Sequence, residues 1–170
     1  LDTRLDSAFG GDFRMVLYTN DVAYAEHIAL VKGEIDGTKP VPVRMHALNV
    51  LTDVLGDQVR GKAGELQTAM KMISEMDHGV VVLIREPHRT ALSDRIRRNL
   101  GENPAPKPPA KSDNILRDYG VGAQILLDLG VRDMILLSNT RHTIVGLEGY
   151  GLRVVEQKPI SLQSVSWDGI

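Results

Sequence analysis

The sequence predicts an α/β fold, and two helix-then-strand pairs carry the prediction. From Glu65 onward, Leu66, Met70 and Ile73 recur at four and three residues, the spacing of one helix face, ahead of Gly79. The run Val80, Val81, Val82, Leu83, Ile84 follows, and its β-branched residues, bounded by a glycine, favour a buried strand over a short helix. The second pair is a segment holding Leu116, Val121, Ile125, Leu126 and Leu129, closed by Gly130, that leads directly into a strand over residues 134–138. A helix feeding straight into a strand, twice, implies α/β layering.

The remaining elements follow in chain order. Residues 12–18 alternate around Phe13, Met15 and Leu17, and the apolar stretch over 27–32 ends at Gly33 before the turn-like Asp36-Gly37-Thr38, so the two read as paired strands. Residues 41–46 read as a third strand, with Pro40 and Pro42 at an edge or strand-start position where an amide donor can be spared. A second helix is expected over 91–100, rich in arginine on its exposed face and ended by Gly101. The stretch "GENPAPKPPAK" after it holds Pro104, Pro106, Pro108 and Pro109, which cannot donate backbone hydrogen bonds, and reads as a mobile or extended loop. Asp113 or Asn114 is expected to cap the next helix. After the 134–138 strand come a polar turn, a short helix over 144–148 and a last strand over 152–157, while the closing "SLQSVSWDGI" carries no interpretable pattern.

Composition narrows the function classes. At 170 residues, 42% hydrophobic and 25% charged, the chain has the balance of one soluble globular domain. A formal charge of -2 gives no global attraction for nucleic acid or an anionic membrane, so basic clusters are judged locally. Arg85, Arg89, Arg95, Arg97 and Arg98 read as a solvated helix face rather than a nucleic-acid patch, because no aromatic residue is interleaved with them. The absence of cysteine excludes disulfides and every zinc site built on thiolates. No pair among the five histidines has the three- or four-residue spacing of a helical metal motif. With no membrane-length apolar run and no visible signal peptide, a cytoplasmic location is expected. The first residue, Leu1, suggests a fragment cut from a longer chain.

Four strings, "HIALVKGEIDG", "PVRMH", "RDYGVGAQILLDLGVRDMILLSN" and "IVGLEGYGLRVVEQKPI", together resemble GTP cyclohydrolase II over residues 13–160. The resemblance implies a mixed sheet with flanking helices, a homodimer, and an upstream dihydroxybutanone phosphate synthase to which this domain is fused in bacteria. Residues 1–12 are then expected to be a linker from the removed upstream domain and 161–170 a tail. The family enzyme is similar to other zinc hydrolases in holding its metal with three cysteines and an open position for water, whose pKa the metal lowers from about 15.7 to about 7. Matching "RMH" and "DVLG" to the family's Arg-Val-His and Asp-Val-Phe-Gly places those cysteine positions at Asn49, Arg60 and Lys62.

Other family positions are also altered. Arg117 matches the family's proposed nucleophilic arginine, but the aspartate two residues earlier is Ile115 here, and the tyrosine position falls near Asn99. The family's Glu-Gly-Arg at the GTP site reads Pro87-His88-Arg89, the lysine after the "LLSN" strand corresponds to Thr143, and Ser138 matches a threonine. Arg44, Arg89, Arg117 and Ser138 remain candidates for binding a phosphate or nucleotide. The expected function is a catalytically inactive domain, with no cofactor, that regulates or scaffolds the synthase. An active cyclohydrolase or other nucleotide hydrolase and a nucleotide-sensing module are the alternatives.

Overall fold

The computed structural model describes residues 1–20, 25–86, 89–102, 111–140 and 147–161, with the side chains of 111–118 excepted. Its strands are β1 (Asp2–Ser7), β2 (Gly11–Asn20), β3 (Ala25–Lys32), β4 (Val41–Ala47), β5 (Gly79–Ile84), β6 (Asp133–Leu137) and β7 (Arg153–Lys158). Its helices are α1 (Glu65–Ser74), α2 (Ala91–Asn99) and α3 (Lys111–Asp128), with a π-helical turn over Val50–Val54. The strands join in one sheet of order β1-β2-β3-β5-β4-β6-β7. The β1, β2, β3 and β5 neighbours pair antiparallel, whereas β5, β4, β6 and β7 run parallel, so the sheet is mixed.

The continuous apolar run of β5 follows from its central position, since a strand covered on both faces needs no polar alternation. Val80, Val82 and Ile84 pack with Ala123, Ile125 and Leu126 of α3 on one face. Val81 packs with Leu66, Ala69, Met70 and Ile73 of α1 on the other. The two helices therefore cover opposite faces of the sheet. Tyr18 of β2 donates to Asp128 at the end of α3 over 2.8 Å, tying that helix to the antiparallel half.

Several expectations are revised. The opening segment, expected as a linker, is a strand: Asp2 to Ser7 pair in register with Val16 to Gly11, and Arg4–Asp12 and Arg14–Asp2 ion pairs brace the ladder. Pro42 lies in a central strand, not at an edge. It is tolerated because it precedes Val43, where the β4–β5 pairing begins, so its missing amide falls at the strand start. Asp113 and Asn114 lie inside α3, whose assigned start is Lys111. The π-helical turn has no counterpart in the sequence reading. The proline-rich residues 104–109, Pro87, His88, Thr143, most of the expected 144–148 helix and the tail beyond 161 lie outside the described residues.

The two strings that best marked the family meet in space. A Cβ on Gly120 would come within 2.9 Å of the Tyr150 hydroxyl, and one on Gly122 within 2.2 Å of the Met45 methyl. The "YGVGAQ" glycines thus leave room on α3 for the tyrosine of "GLEGYGL" and for β4.

Candidate functional site

The carboxyl ends of the parallel strands β4, β5 and β6 open on a cavity of about 250 Å³. This is the end at which open α/β sheets bind ligands. Arg44, Met45, His46 and Ala47 of β4 line it together with Ile84 of β5. Leu136, Leu137 and Ser138 border it from the end of β6, and Tyr119 of α3, Lys62 and Thr140 complete the wall.

A buried polar chain runs behind this wall. Arg44 donates through one terminal nitrogen to the Leu137 carbonyl at 3.2 Å, and through the other to Glu65 at 3.0 Å and His46 Nδ1 at 3.2 Å. A guanidinium can only donate, so Nδ1 is the acceptor and His46 carries its proton on Nε2. That proton meets Asp53 Oδ2 at 2.8 Å. The same oxygen accepts from the Asn49 amide at 2.7 Å, which anchors the π-helical turn onto the end of β4. Burial alone would raise the Asp53 pKa, but the hydrogen bonds from His46, the Asn49 amide and the Thr52 hydroxyl outweigh it and hold the carboxyl below its ordinary value. Burial pulls the Arg44 guanidinium below its ordinary value, against the attraction of Glu65 and Asp53. The Arg44 Nε–H is buried with no hydrogen-bond partner among the described residues.

A second cavity, of about 210 Å³, lies beside the first and shares Lys62 with it. Asn49 and Thr52 contribute from the π-helical turn, Asp57, Arg60 and Lys62 from the loop before α1, and Arg95, Arg98 and Asn99 from α2. The three positions matched by sequence to the family's cysteines therefore converge on one cavity. Their donor set does not fit zinc. Arg60 and Lys62 offer only protonated nitrogens, and the Asn49 amide oxygen already accepts the Leu51 N–H at 3.1 Å. Among the described residues no group of three or more metal-ligating side chains is found elsewhere.

The other site residues separate. Arg44 and Ser138 share the strand-end cavity, with Ser138 also hydrogen-bonded to the Thr140 amide at 3.1 Å. Arg89 is exposed in the turn before α2 and lines neither cavity. Arg117 lies in α3, two residues before Tyr119, and its side chain is outside the described residues. The arginine cluster is mostly paired: Arg85 with Glu26 at 3.6 Å, Arg95 with Glu86 at 2.9 Å and Arg97 with Asp94 at 3.5 Å. Arg95 and Arg98 are half-buried and turn into the second cavity, so the cluster is not wholly a solvated face. Sequence reading missed Asp53 and Glu65 as the acids of the buried chain. Asp53 was visible within "DVLG", but its hydrogen bond to His46 depends on a turn that no local periodicity announces.

Fold and site define an α/β domain with a strand-end cavity built on a buried arginine–histidine–aspartate chain and a cationic cavity beside it. The profile of the GTP cyclohydrolase II family matches residues 1–159, and the chain belongs to that family. It is a degenerate member, without cysteine. Similar proteins include the riboflavin biosynthesis protein RibBA of Chlorobium phaeovibrioides, 35% identical over 96% of this chain and 41% of that protein. The RibBA of Salinispora tropica is 39% identical over 91% of this chain and 40% of that protein, and the RibBA of Bacillus subtilis 34% over 96% and 43%. The chain thus spans about two fifths of the length of these relatives. No described helix is long and apolar enough to cross a membrane.

Proposed function

We propose that this chain is a catalytically inactive GTP cyclohydrolase II-like domain of a riboflavin-biosynthesis protein, and that it regulates or scaffolds a fused dihydroxybutanone phosphate synthase. The observation that carries the reading is the convergence of Asn49, Arg60 and Lys62 on one cavity. The enzyme's chemistry requires lone-pair donors there, and this chain presents protonated cations. Ile115 in place of the family's aspartate is an independent loss. The name and greater length of the relatives support a place within a larger riboflavin-pathway protein, and the family's habit of dimerising supports a homodimer. A second reading, a module that binds a nucleotide without turning it over, is favoured by Arg44 and Ser138 sharing the strand-end cavity.

The purified protein is expected to bind no stoichiometric zinc and to leave the imidazole ring of GTP closed. Elemental analysis finding one zinc per chain, or formate release from GTP, would overturn the reading. Installing cysteine at positions 49, 60 and 62 together is expected to leave GTP intact as well, since the loss at Ile115 remains.

A further inference from the structure

We propose that the cavity bounded by Asn49, Arg60, Lys62 and α2 is a binding site for a phosphoryl oxyanion. Among the described residues, four cationic side chains, Arg60, Lys62, Arg95 and Arg98, line it with a single carboxylate, Asp57. Glu86 pairs with Arg95, yet cations still outnumber carboxylates around the space. Asp57 accepts from the Val59 amide at 3.1 Å and the Asn99 amide nitrogen at 3.3 Å, and among the described residues it forms no ion pair with Arg60 or Lys62.

The donors are arranged for an anion and not for water alone. Gly61, at φ 61°, takes the left-handed conformation that turns the loop between Arg60 and Lys62, and its amide closes the turn on Gln58 at 2.9 Å. The Arg60 Nε–H is fixed on Asn99 at 3.3 Å, which orients the guanidinium and leaves its terminal nitrogens for a ligand. The Lys62 ammonium makes no hydrogen bond or ion pair among the described residues, while the Lys62 carbonyl accepts from the Glu65 amide at 3.2 Å. Asn49 spends its amide oxygen on Leu51 and retains its two N–H donors. Guanidinium, ammonium and amide donors together match the several acceptor oxygens of a phosphoryl group. Among the described residues no aromatic side chain lines the space, which argues against stacking of a base.

Lys62 borders both cavities, so a ligand with two linked phosphoryl groups meets one cation common to both spaces. Free phosphate and the phosphoanhydride of a larger molecule share this chemistry, and their relative affinities separate them.

Isothermal titration calorimetry on the full-length protein, at matched ionic strength in chloride, tests the site with inorganic phosphate and with pyrophosphate. Binding is expected for at least one of them, about tenfold weaker in Arg60→Gln/Lys62→Gln. Arg98→Gln, an independent variant in α2, is expected to weaken it too, and Lys71→Gln on α1 to leave it unchanged. Tighter pyrophosphate assigns a diphosphate-bearing ligand, and tighter or equal phosphate assigns a single phosphoryl group. Absence of binding to both, or binding undiminished in Arg60→Gln/Lys62→Gln, overturns the proposal. The regulatory reading stands or falls separately, because it does not require a ligand.

Discussion

Arg44 shows how much one side chain can organise. Its charge is buried at the end of β4, with Glu65 beside it, both side chains about 11% exposed. A buried pair of this kind adds little compared with apolar residues of the same volume, but removing one partner strands the other charge. Glu65→Gln is therefore expected to cost about 3–5 kcal/mol, read from urea denaturation. Glu65→Met with Arg44→Met should cost much less. A Glu65→Gln loss no greater than that of the double variant would mean that the pair is not stranding a charge. Asp53 supplies a pH signature. Because its folded pKa lies below the ordinary 3.8, its contribution is complete above that value and is lost as pH falls below it through the folded pKa. The stability advantage of the wild type over Asp53→Asn should shrink in that window and stay flat above it. A gap that instead closed between pH 5 and 7 would mean that Asp53 is not the group responsible.

At the level of elements, two glycines with the same backbone sign differ in what surrounds them. Gly33 ends β3 at φ 62°, and a Cβ there would lie 2.1 Å from the Asp77 carbonyl oxygen, a backbone atom that cannot swing aside. Gly56 has φ 68° with no atom within 4 Å of the same position. Gly56→Ala is expected to cost about 1–2 kcal/mol for the left-handed conformation alone. Gly33→Ala should cost clearly more, as a lower thermal midpoint in the same buffer. Equal losses would mean that the Gly33 turn relaxes freely. Most elements were legible because their signals are local: β5 by its β-branched run, α1 by its spacing, and the ends of α2 and α3 by Gly101 and Gly130. The parts that were missed depend on distant partners. β1 is a strand because β2 offers it a complementary edge, across which Arg4 pairs diagonally with Asp12 and Asp2 with Arg14. The π-helical turn is fixed by Asp53 bonding back to Asn49 and His46. Arg60 and Lys62 could be matched to metal positions from the sequence. Their approach to Arg95 and Arg98 could not, because it depends on how α2 docks.

On the scale of the whole molecule, the surface near the cationic cavity is unusually apolar. Val50, Val54, Leu55 and Val59 on the π-helical turn and its loop are exposed, as are Leu92 and Ile96 of α2 and Leu100 at its C-cap. Leu92, Ile96 and Leu100 recur at four-residue intervals and so share one face of the helix and its cap. Val50 and Leu92 line a common groove, and the Arg60–Asn99 contact joins the loop to the helix end. Scattered exposed leucines need no explanation, but a group on adjoining elements marks a contact surface. Under the scaffolding role proposed above, the occupant we expect is the fused synthase. In the fusion proposed above, deletion of this domain is expected to lower synthase activity or dimer affinity by about fivefold or more, within the range of ordinary coupling between sites. Leu92→Glu/Ile96→Glu should reproduce much of that loss while the domain stays folded, since exposed substitutions of this kind seldom shift stability by more than about 0.5 kcal/mol. Steady-state kinetics and analytical ultracentrifugation supply both readouts. If deletion matters but the double variant behaves as wild type, the contact uses another face. If deletion changes neither kinetics nor association, the scaffolding role is wrong.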